Sequence, residues 1–85
     1  MYERGQVVVS TAGRDKGRLL AVVRTDSPFI YVCDGRERPL DNPKRKNPRH
    51  IEVTDAGLSE DQMRSDSALR KALAILSADI LKKRG

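Results

Sequence analysis

Apolar positions along the chain follow two different rhythms, and the change falls near Thr54. Before it, short β-rich runs are broken by Gly, Pro and Asp. After it, the spacing is helical. Gly5-Gln6-Val7-Val8-Val9-Ser10 predicts a first strand, because β-branched side chains fit a pleated surface. Thr11 to Gly17 predicts a tight turn, with Gly13 and Gly17 bracketing Arg14-Asp15-Lys16. Arg18 to Arg24 carries Leu19, Leu20, Ala21, Val22 and Val23, a second strand apolar on both faces. Asp26-Ser27-Pro28 punctuates it, Phe29 to Cys33 forms a third strand, and Asp34-Gly35 ends that strand as a turn dipeptide.

Arg36 to Asn42 is expected to hold a short edge strand, since Pro39 cannot donate to a central ladder. Asn42-Pro43-Lys44-Arg45-Lys46-Asn47-Pro48 is expected to be a stiff, solvated loop. His50-Ile51-Glu52-Val53-Thr54 alternates and suggests a closing strand. Several short strands in about fifty residues argue for a small barrel, because closure removes exposed sheet edges.

Asp55-Ala56-Gly57 marks the change of rhythm. Ser59-Glu60-Asp61-Gln62 has capping-box spacing, and Ser65 or Asp66 offers a second helix start. Leu69, Leu73, Leu76 and Ile80, with Ala72 between them, recur on one helical face suited to pack on the barrel. Lys82-Lys83-Arg84 falls in the last turn, where positive charge suits the helix dipole. The expected organisation is therefore mainly β with a C-terminal α-helix: a barrel over residues 1–54 and a helical extension over 55–85.

Charge sharpens the picture. Seventeen Lys and Arg against twelve Asp and Glu give a net charge of +5, which suits a polyanionic partner. No apolar run is long enough to span a bilayer, and the first twenty residues lack signal-peptide order. Cys33 is alone, so no intrachain disulfide can form, and a cytoplasmic setting is expected. One histidine and one cysteine are too few for a structural zinc site, so neither metal nor cofactor is expected. Cys33 reads as a core thiol, Asp15 as a turn-former rather than an acid or base, and Tyr31 as a half-buried packing residue rather than a base stacker. No spacing of Ser, His and acid suggests catalysis.

Two basic stretches carry the functional signal. Arg14-Asp15-Lys16-Gly17-Arg18 lies in the turn between the first two strands. The segment from Arg36 to Arg49 sets Arg36, Arg38, Lys44, Arg45, Lys46 and Arg49 against Glu37 and Asp41, six cations against two acids. Prolines at 39, 43 and 48 restrict the backbone between those charges, so less entropy is lost when they are ordered on a partner. Such cations suit phosphate oxygens, and His50, beside Arg49, is counted with them.

Gly5 to Arg18, with its hydrophobic strand and its turn at Gly13 and Lys16-Gly17, resembles a KOW motif. Val32-Cys33-Asp34-Gly35-Arg36-Glu37-Arg38-Pro39 and Pro43-Lys44-Arg45-Lys46-Asn47-Pro48-Arg49-His50-Ile51 are similar to a narrower group. That group comprises the KOW-containing large-subunit ribosomal proteins of archaea and eukaryotes and their short bacterial relatives. The likeness spans about residues 4–53. It implies an SH3-like barrel that binds ribosomal RNA without catalysis. Gly13 and Gly17 would shape the turn, while Arg14, Lys16, Arg18, Lys44, Arg45 and Lys46 would face phosphate. Shape and phosphate position would then be read, as in duplex RNA generally. A different class of function, docking on transcription or translation machinery with the C-terminal helix as a contact, stays open beside it. So does non-specific binding of duplex DNA.

Overall fold

The computed structural model describes residues 2–84, with side chains described through Asp79. Five strands run Gln6–Ser10 (β1), Leu19–Asp26 (β2), Phe29–Cys33 (β3), Lys44–Lys46 (β4) and Ile51–Gly57 (β5). They form one antiparallel sheet in the order β4-β3-β2-β1-β5, followed by a helix over Asp66–Arg84 (α1). The first three strands fall where the β-branched runs predict them. The chain is thus mainly β with one C-terminal helix.

Burial explains why β2 is apolar on both faces. Val7, Val9, Leu19, Ala21 and Cys33 point to one side and share a core with Met63, Leu69 and Leu73 from the C-terminal segment. Val8, Leu20, Val22, Ile30 and Val32 point to the other side and form a second core, with Tyr2 and Ile51 packed against it. Leu76 packs at the margin of the first core and Ala72 is buried, so the helical stripe faces the sheet. The side chain of Ile80 and those of the terminal Lys82-Lys83-Arg84 lie outside the described residues.

Two expectations need correction. No strand forms between Arg36 and Asn42; that segment is a closed loop of bends and turns. Its backbone bonds are taken locally: the Asp34 carboxylate accepts from Arg36 N–H at 2.8 Å and Arg38 N–H at 3.0 Å. The fourth strand is instead Lys44-Arg45-Lys46, paired with Ile30-Tyr31-Val32, where a solvated loop was expected. β5 also runs on to Gly57, beyond the alternating segment that predicts it.

The two possible helix starts divide the work. Ser59 and Gln62 do bond reciprocally, Ser59 N–H to Gln62 Oε1 at 2.9 Å and Gln62 N–H to Ser59 Oγ at 3.3 Å. They close only a turn, which lowers Met63 into the core. The helix begins afresh after Ser65, whose hydroxyl accepts from Ala68 N–H at 3.1 Å as an N-cap.

Candidate nucleic-acid interface

Asp15 organises the turn between β1 and β2. Its carboxylate accepts from the Ser10 hydroxyl at 2.7 Å and from the Lys46 ammonium at 2.8 Å, and Lys44 Nζ stands 3.6 Å away. Lys46 also donates to the Ala12 carbonyl at 3.0 Å, which ties the turn to β4 across thirty-four residues of chain. Burial by itself would raise the Asp15 pKa. The hydrogen bonds from Lys46 and Ser10, with the charges of Lys46 and Lys44, more than offset that and hold it at about 2.

This geometry corrects the sequence expectation for the Lys44-Arg45-Lys46 run. Lys46 is 5% exposed and bonded on the inside, so it is a structural cation and is not placed to face phosphate. Strand alternation turns Arg45 away from its two neighbours, and its guanidinium lies over the Phe29 ring, 4.6 Å from the centroid. Lys44 is half-buried, shared between Asp15 and a cleft. The run therefore splits, with both lysines turned to Asp15 and Arg45 laid over Phe29.

The second basic stretch docks on α1. The loop from Asp34 to Asn42 is held by the helix start: Leu40 N–H donates to Asp66 Oδ1 at 2.8 Å, and Arg70 Nη1 donates to the Gly35 carbonyl at 2.9 Å. Gly35 is needed at the contact. Its φ is +77°, and a Cβ there would collide with the Asp66 carbonyl oxygen. Gly13 and Gly17, the other two glycines expected to shape turns, also have positive φ, both +88°.

The two loops come together. Arg18 from the first pairs with Glu37 from the second at 3.2 Å, a half-exposed contact that adds little stability. Beside it opens a cleft of about 210 Å³, lined by Arg14, Asp15, Leu20, Asp34, Glu37, Arg38 and Lys44. Its acids are already engaged: Asp15 by two lysines and Ser10, Asp34 by backbone N–H groups, Glu37 by Arg18. Arg36 lines a groove on the other side of Asp34, alongside Arg18 and Arg70. Arg14, Lys16, Arg36, Arg38 and Arg49 are exposed and in no ion pair among the described residues. Arg49 and His50 occupy a single 3₁₀ turn, Pro48–His50, capped by the Asn47 side chain at 2.9 Å. The His50 carbonyl accepts from Thr11 N–H at 2.9 Å, which places this turn at the foot of the first loop.

Sequence reasoning missed Asp15 as the brace between β4 and the turn. The available signal was the spacing of Lys44 and Lys46, two residues apart and so on one side of any strand. Cys33 is fully buried, and burial, with the nearby charges of Asp34 and Asp66, pushes its thiol up to about 12. Among the described residues, no group of three or more His, Cys, Asp or Glu side chains is placed to hold a metal. No described helix is long and apolar enough to cross a membrane. No family model matches the chain, and no curated protein matches it either.

Proposed function

We propose that this chain is a non-catalytic RNA-binding protein with a KOW-type, SH3-like barrel, acting in the cytoplasm on structured RNA, with ribosomal RNA as its partner. The observation that carries this reading is the meeting of the two basic loops around one cleft, with the three acids that line it already engaged and five cations of the loops left to solvent. Three of those around Asp34 and the first turn, Arg14, Arg36 and Arg38, are arginines, whose planar forks suit bidentate phosphate contacts.

The barrel also has support. Val8, Leu20, Val22, Ile30 and Val32 are at most 1% exposed, yet α1 lies on the opposite side of the sheet. A sheet that curls buries its concave face in this way without a second layer. Register shifts between Gln6 and Val8 and between Val22 and Arg24 supply the local bends that curling needs.

The test follows from the corrected geometry. Lys46→Glu would set a second carboxylate against Asp15 in the interior and unfold the protein, so charge reversal there says nothing about RNA. The informative variant is Arg14→Gln, Arg36→Gln, Arg38→Gln, all at exposed positions. It should stay folded, bind structured RNA more weakly, and show a slope of log affinity against log salt shallower by up to about 3, near 0.9 per lost phosphate contact. A folded triple variant with unchanged affinity and unchanged salt slope would overturn the proposal.

A further inference from the structure

The chain has three aromatic residues, Tyr2, Phe29 and Tyr31; Tyr2 packs at the margin of the second core, and none of the three is fully buried. All three are half-exposed. A small protein short of core volume gains most by burying such rings, since each removes about 150–250 Å² from water. Here Val, Leu, Ile and Met fill the interior, while Tyr2 and Phe29 line a surface cleft and Tyr31 follows two residues after Phe29 on β3.

Phe29 and Tyr31 lie on the same side of β3, opposite the buried Ile30 and Val32. Tyr31 stands in register between Arg24 on β2 and Arg45 on β4. The Arg24 guanidinium is 4.1 Å from the Tyr31 ring centroid, and that of Arg45 is 4.6 Å from the Phe29 centroid. Both arginines are exposed, and neither is in an ion pair among the described residues. Next to Phe29 a cleft of about 310 Å³ opens, lined by Tyr2, Thr25, Ser27, Pro28, Phe29 and Ile30. Asp26, opposite Phe29 in the register, is exposed and lowers the local charge without cancelling the two arginines.

We propose that this patch is a second nucleic-acid site, a stacking platform for unpaired bases of single-stranded RNA. It rests on the reading that the chain binds RNA, and it adds contact with bases to contact with backbone. Bases splayed from a single strand stack on aromatic rings and on guanidinium planes. Each arginine is held over a ring, so its side-chain freedom is restricted before any ligand arrives, and its charge is available to the adjoining phosphates. An isolated surface clamp of Arg on an aromatic ring needs one such pair. Two pairs side by side, with an aromatic-walled cleft open beside them, make a larger surface than a clamp requires. An apolar peptide is the poorer occupant, because seating it would strip water from two guanidinium groups without supplying a counter-charge.

Tyr31 supplies its own reporter. The chain has no Trp, so Tyr2→Phe leaves Tyr31 as the sole strongly fluorescent side chain. In that background a short single-stranded oligoadenylate should quench Tyr31 emission saturably. Inorganic polyphosphate, which offers charge without bases, should not. Phe29→Leu, with folding checked by its thermal melt, should weaken oligoadenylate binding between roughly fivefold and a hundredfold, the range for one stacked base. Arg24→Gln with Arg45→Gln, both exposed, should weaken it as well and provides the test if Phe29→Leu misfolds. Structured duplex RNA should bind without quenching Tyr31. Duplex binding with no oligoadenylate response would overturn the platform and leave the loop site standing. Failure of both RNAs to bind would overturn both. Capture of an apolar peptide in the cleft with oligoadenylate excluded would assign the patch to protein docking and end the proposal.

Discussion

Replacing Asp15 by Asn removes one negative charge and leaves a side chain of nearly the same shape, still able to accept from Ser10 and Lys46. The charge is what the fold uses. In the native protein the Asp15 carboxyl sits at about 2 against an ordinary 3.8. A gap of that size, at about 1.4 kcal/mol per unit, corresponds to about 2 kcal/mol of stability. Full disruption of a buried ion pair costs more, about 3–5 kcal/mol, because it strands an uncompensated charge. Asn should fall at the lower figure, since Lys46 keeps its bond to the Ala12 carbonyl. Ala, which removes the acceptor as well, should approach the higher one. In a domain of this size about 2 kcal/mol lowers the melting temperature by about 8–16 °C.

The sign with pH follows from the direction of the shift. The folded-state pKa lies below the unfolded one, so the stabilisation is complete at neutral pH. It fades as pH falls below about 4, is about half present at pH 3, and is lost below about 2. Thermal melts followed by circular dichroism at pH 7 and pH 3 should therefore show a wide gap between wild type and Asp15→Asn at the first pH and a narrower one at the second. A variant melting within about 2 °C of wild type at pH 7 would refute the brace. So would a gap as wide at pH 3 as at pH 7.

Two further outcomes test the scaffold around the loops. Gly17→Ala and Gly35→Ala both place a Cβ at positive φ, but the first meets open space and the second the Asp66 carbonyl. Urea unfolding should show a loss of about 1–2 kcal/mol for the first, the left-handed penalty alone, and a clearly larger loss for the second; equal losses would refute close packing of this loop on α1. Cys33, buried and with its thiol pushed up to about 12, should resist iodoacetamide at pH 8 in the native protein and react once urea unfolds it. Rapid native labelling, read by mass spectrometry, would contradict the sealed core.

Strands β1 to β3 were legible because each is a run of Val, Leu, Ile or aromatic residues closed by Gly, Pro or Asp. Local pattern suffices where burial on both faces selects for it. The stripe of Leu69, Ala72, Leu73 and Leu76 was legible for the same reason at helical period. β4 was not, since three consecutive cations look like a solvated loop to any local rule. Only Asp15, some thirty residues upstream, makes an interior lysine tolerable, and pairing at that distance leaves no trace in periodicity. The segment from Arg36 to Asn42 misled for the converse reason. The Asp34 side chain satisfies its N–H groups locally, and α1 holds its Leu40 N–H, so the segment has no need of a ladder.

The same distinction governs which charges can meet a polyanion. Counted along the chain, the cations of the two basic stretches are equivalent; sorted by contact, the β4 lysines part from the rim arginines, while Lys16 stays exposed and Arg18 pairs with Glu37. The lysines of β4 converge on Asp15, where a compact ammonium with several donors can serve both a carboxylate and a backbone carbonyl. The arginines lie at the rim: Arg14 and Arg38 at the cleft, Arg36 at the adjoining groove, and Arg45 over the Phe29 ring, where Arg24 of β2 joins it over Tyr31. Guanidinium groups are the better choice there, being planar, more weakly hydrated and able to bond phosphate in pairs or stack on a base. A partner that offers both phosphates and unpaired bases would use both arginine sets, and the lysines of β4 would hold the loop and the strand that carry them.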